Sequence, residues 1–66
     1  MKLANDRKVW ENEYMGPDTW QVDVLDAHGV SDHAVREFVA ENAFCYAGGA
    51  QIVRAEAGVV TVKYYA

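Results

Sequence analysis

The sequence predicts an α+β fold: a single small domain of order ββαββ, with one helix packed on a four-stranded, mainly antiparallel sheet. Three observations lead there. Two runs of period-two alternation flank the turn signal "GPDT"; a helix-period stretch follows "AHGVS"; and two β-branched runs, "QIVRAEA" and "VVTVKYY", close the chain around an Ala-Gly step. One helix covers one face of such a sheet and leaves the other to water or a partner.

Residues 1–66 form one domain, and the polar Met1–Arg7 segment reads as a flexible arm. From Lys8, "KVWENEYM" puts Trp10 and Tyr14 on one side and Val9, Glu11 and Glu13 on the other. Gly16, Pro17 and Asp18 supply turn chemistry. In "WQVDVLD", Trp20, Val22, Val24 and Asp26 share one face, with Gln21, Asp23 and Leu25 on the opposite one. The two runs make an antiparallel hairpin.

The period then changes. Ser31 is placed to cap a helix, with Val30 before it and Val35 four residues after it positioned as a hydrophobic staple. Asp32 falls in the first turn, where a carboxylate suits the free amides. Val35, Phe38, Val39, Asn42 and Tyr46 follow one helical stripe, so the helix is expected over about 32–46. Gly48 or Gly49 would end it. In the second hairpin, Val53, Ala55, Val60, Val62 and Tyr64 are expected inward. Ile52, Arg54, Glu56, Val59, Thr61, Lys63 and Tyr65 are expected outward. Trp10, Tyr14, Trp20 and Tyr64 are the aromatic candidates for the core.

No motif points to catalysis. Cys45, the single cysteine, sits near the expected helix C-terminus, where the dipole disfavours a thiolate. His33 would lie more than about 15 Å away along that helix. Cys45 therefore reads as a packed structural thiol. The glycines follow the helix rather than precede it, so they do not cradle a phosphate. His28 and His33, with Asp26 and Asp32, lack the one-turn spacing of paired metal-binding histidines. The expectation is no enzyme activity, no metal, no cofactor and no small-molecule substrate.

Ten acidic against six basic residues leave a net charge of −4, which argues against nucleic acid and anionic membranes as partners. The opening "MKLANDRK" lacks an apolar signal core, and no apolar run nears the ~20 residues of a membrane span. The expected setting is cytoplasmic. A chain this short buries only about 60% of its unfolded surface, which favours association as a source of stability.

The leading expectation is a protein-binding or assembly module, with itself or another protein as partner, acting through the outer sheet face as a homodimer or otherwise. Its candidate interface is Val9, Leu25, Ile52, Arg54, Val59, Lys63 and Tyr65. One alternative is an acidic inhibitor that imitates nucleic acid through Glu11, Glu13, Asp18, Asp23, Glu37 and Glu41. The other is a weak nucleic-acid-binding domain using Tyr65, Arg54 and Lys63.

Overall fold

Val22 and Val24 are wholly buried; Val62 and Val60, which oppose them across the sheet, and Tyr64, which opposes Trp20, are buried as well. That apolar seam fixes the centre of the domain. The computed structural model describes residues 1–43 and 49–66. Its elements are β1 (Lys2–Trp10), β2 (Thr19–Leu25), α1 (Asp32–Asn42), β3 (Gln51–Glu56) and β4 (Val59–Tyr65). The fully antiparallel sheet has the order β1-β2-β4-β3, and β1 and β3 form its edges. This is the ββαββ domain that the alternation and the helix period predict.

The helix begins as its sequence dictates. The Ser31 hydroxyl oxygen accepts from the Ala34 amide at 3.2 Å, and Asp32 sits in the first turn. Val35 and Val39 are buried against the sheet, while Val30 and Phe38 pack at the rim of the core. Ala43 closes the helix, its amide donating to the Val39 carbonyl at 2.8 Å. The last helical turn expected at Cys45–Tyr46 and the glycine cap at Gly48 fall on residues 44–48, outside the described residues, as does the packed-thiol reading of Cys45.

The β3–β4 turn falls at Ala57-Gly58, where both residues have positive φ, 52° and 79°. Two-residue turns of this hand match the right-handed twist of paired strands. The Ala27 amide donates to the Gly58 carbonyl at 2.9 Å, tying this turn to the loop ahead of α1. At the opposite end, Asp18 and Ala66 exchange backbone hydrogen bonds at 3.0 and 3.1 Å, which extends the β2–β4 ladder by one pair.

Three local irregularities correct the expected faces. Met1–Arg7 is not an arm: Lys2–Arg7 belongs to β1, with Leu3 opposite Val24 and Arg7 opposite Gln21. A bulge between Ala4 and Arg7, with Asn5 at φ 55°, carries the strand through a segment with no apolar alternation. Ladder bonds involve only backbone, so a polar strand pairs as well as an apolar one.

The second bulge inserts Val9 between the pairs Lys8–Trp20 and Trp10–Thr19. One extra residue exchanges the two faces beyond it, so Trp10 is on the outer face and 57% exposed. β1 ends there. Tyr14 lies in the following loop, 92% exposed, and neither aromatic belongs to the core. The third bulge inserts Val53 between Ile52–Val62 and Arg54–Thr61. Ile52 consequently faces α1 and packs against the core, while Val53 is exposed.

Candidate functional site

The outer sheet face is assembled from rows of residues related by strand pairing. Lys2 opposes Leu25 in one row. Ala4, Asp23, Thr61 and Arg54 form the next, crossing all four strands. Arg7, Gln21, Lys63 and Gln51 form the third, and Trp10, Thr19 and Tyr65 the fourth.

The centre of this face is polar and tightly satisfied. Asp23 accepts from Asn5 Nδ2 at 2.9 Å and from Thr61 Oγ1 at 2.8 Å, and Arg7 Nη1 lies 3.6 Å from its carboxylate. These hydrogen bonds from Asn5 and Thr61, followed by the Arg7 charge, hold the Asp23 carboxyl below the ordinary aspartate range. Arg7 also donates to the Asn5 carbonyl at 2.6 Å and to Gln21 Oε1 at 3.3 Å. Thr61, although on the outer face, is only 3% exposed beneath this network. The expected apolar patch is therefore divided: Leu25 and Val59 lie at one end, and Trp10 and Tyr65 at the other.

The aromatic end carries positive charge beside it. Lys63 Nζ stands 5.9 Å from the Tyr65 ring centroid. Among the described residues, neither Lys63 nor Arg54 has an ion-pair partner. The outer face holds four cations, Lys2, Arg7, Arg54 and Lys63, and two strand carboxylates, Asp23 and Glu56, a balance of +2. The chain as a whole carries −4, so the remainder carries −6, with Lys8 and Arg36 set against eight carboxylates. The fold has segregated charge that is mixed along the sequence.

Of the expected interface residues, Leu25, Arg54, Val59, Lys63 and Tyr65 stand on this face, Ile52 is turned to the core, and Val9 is the bulge residue itself. Lys2, Arg7 and Trp10 were missed by sequence reasoning. The signal for Arg7 was Asn5, a residue type that tolerates left-handed backbone and sits in the first bulge.

The acidic residues are dispersed over different parts of the molecule. Lys8 Nζ binds Asp18 at 3.2 Å and Glu11 at 3.8 Å. The Asn12 amide donates to Asp18 Oδ1 at 2.9 Å; that bond first, and Lys8 second, lower the Asp18 pKa, while Asp18 raises that of Lys8. Glu13 is in the same loop. Glu37 pairs with His33 at 3.1 Å on the helix, where Glu41 is also exposed, on the opposite side of the sheet from Asp23.

The inner face near β1 carries a separate stack. Trp20 and Tyr64 lie 6.4 Å apart with rings inclined by 20°, and Lys8 Nζ is 5.6 Å from the Trp20 ring. The Tyr64 hydroxyl donates to Asp6 Oδ1 at 2.6 Å. Trp20 Nε1 is buried without a hydrogen-bond partner among the described residues.

Two open depressions are lined by described residues. One, of about 270 Å³, lies between the two turns and includes His28, Asp32 and Glu56 on its rim. The other, of about 390 Å³, is lined by Asp32, Arg36, Gln51 and Ile52. Among the described residues, no three His, Cys, Asp or Glu side chains are grouped to hold a metal, and no helix is long and apolar enough to cross a membrane. Comparison with protein-family models, with curated proteins and with solved structures found no match to the chain.

Proposed function

We propose that this chain is a non-enzymatic binding module whose working surface is the outer face of its sheet, engaging a partner that is anionic where it touches. The observation that carries this reading is the +2 balance on a face of a −4 chain, with an exposed tryptophan beside it. Local complementarity of this kind orients a partner and speeds its encounter even when net charge opposes it. The polar network around Asp23 argues against an apolar sheet-to-sheet contact, because Asp23 and Arg7 would be desolvated there. Backbone-amide NMR during titration with polyglutamate tests the reading. Shifts are expected in β4 and at the end of β1, around Lys63, Tyr65 and Trp10. Shifts confined to α1, or none, would refute it.

A homodimer is supported by a different feature, the open edge of β3. There Arg54, Ala55 and Glu56 form a self-complementary triplet. Antiparallel pairing of two copies about Ala55 would set each Arg54 opposite the other copy's Glu56, a favourable cross-strand pair. Light scattering of the wild type and of Arg54→Glu checks this. A dimer that the substitution dissociates is the expected outcome; a monomer at all concentrations would refute it.

A further inference from the structure

We infer that the anionic partner of the outer face is single-stranded nucleic acid, its bases stacking on Trp10 and Tyr65 and its phosphates lying along Lys63 and Arg7. This rests on the reading of the outer face as a site for an anionic partner, and it names the class of that partner.

The geometry is that of two adjacent rows. Trp10, Thr19 and Tyr65 cross three neighbouring strands, so the two aromatic positions are two strand spacings apart, about 10 Å. The row holding Arg7, Gln21 and Lys63 lies two residues further along the strands, about 7 Å away. A flat π-surface with cations at that remove suits a nucleotide, whose base is planar and whose phosphate is displaced to one side. An acidic peptide would use the cations and leave the rings idle. Trp10, turned outward by the bulge at Val9, is 57% exposed and has no ring or cation partner among the described residues.

Lys63 Nζ lies over the Tyr65 ring, and a base stacking on that face would displace the ammonium toward its own phosphate. Gln21 between the cations can bond base edges or sugar. Thr19, between the two aromatic positions in the row, carries only a small side chain. A duplex fits less well, because its bases are stacked on one another and withheld from the rings.

Fluorescence-anisotropy titration of dye-labelled ligands with the whole chain tests the inference, with four ligands: an oligothymidine, an oligoadenosine, a DNA duplex and polyglutamate of matched charge. The single strands are expected to bind at about 50 mM salt, with affinity falling on the shallow slope of two or three phosphate contacts. Trp10→Ala and Tyr65→Ala should each weaken them by about ten-fold. Lys63→Gln should weaken every anion and flatten the salt slope. Circular dichroism verifies that the variants fold, as the exposure of Trp10 leads one to expect.

Polyglutamate or duplex bound as tightly as the single strands, and unaffected by Trp10→Ala, would leave the anionic face standing and overturn the nucleic-acid assignment. No binding of any ligand at about 50 mM salt, where phosphate contacts are strongest, would overturn both.

Discussion

The Thr61 hydroxyl donates to Asp23 at 2.8 Å across the two central strands, on the face of the sheet that the helix does not cover. With Asn5 and Arg7 it converts what alternation suggests is a half-apolar face into one with a fixed, charged centre. A buried threonine in that position is paired through its side chain rather than hidden among apolar neighbours.

The Asp23 network predicts a pH-dependent contribution to stability. The folded pKa of Asp23 is lowered, so its contribution is fully present above the unfolded value, about 4, and is lost as pH falls through the folded value. Asp23→Asn should destabilise the domain by about 1–2 kcal/mol at neutral pH. Denaturant unfolding of both proteins should show that gap constant from about pH 5 to 8 and closing below about pH 4. A gap that stays open in acid would show that the carboxylate charge is not what the network uses.

Ala57 holds φ at 52°, a left-handed conformation that costs a residue with a Cβ about 1 kcal/mol. Asparagine tolerates it, and Asn-Gly is the favoured pair for such turns. Ala57→Asn should raise the melting temperature by about 4–8 °C, measured by thermal unfolding. Gly58→Ala should lower it, because φ there is 79° and a side chain would be strained.

Val62 on β4 is fully buried between Val22 on β2 and Ile52 on β3, and so takes part in the pairing of β4 with both its neighbours. Val62→Ala should cost about 2 kcal/mol through lost burial and an unfilled cavity. A chain of this length has only about 3–10 kcal/mol in total, so the variant should unfold at clearly lower urea concentration. Val53→Ala on the neighbouring strand β3, where the side chain is 47% exposed, should be nearly silent.

Ser31→Ala removes the acceptor for the Ala34 amide at the helix start. The expected loss is about 1 kcal/mol, with Ser31→Asp close to wild type because aspartate also caps. Chemical unfolding of the three proteins checks the order.

Local chemistry determined a large part of this molecule. Val22 and Val24, with Val60, Val62 and Tyr64, had to share a face because side chains alternate along a strand. Val35 and Val39 had to meet that face because they are four residues apart on a helix. Ser31 and Ala57-Gly58 marked boundaries for equally local reasons. The tertiary structure decided what alternation cannot encode, namely where a strand carries one residue more than its partner. The bulge at Val9 put Trp10 on the outer face, and the bulge at Val53 turned Ile52 to the core. Pairing with β2 made Lys2–Arg7 a strand despite its polar sequence, and brought Arg7 and Asn5 to Asp23 from about 16–18 residues away. A bulge is a property of two strands together: the extra residue exists only relative to the partner's count, so neither segment alone discloses it.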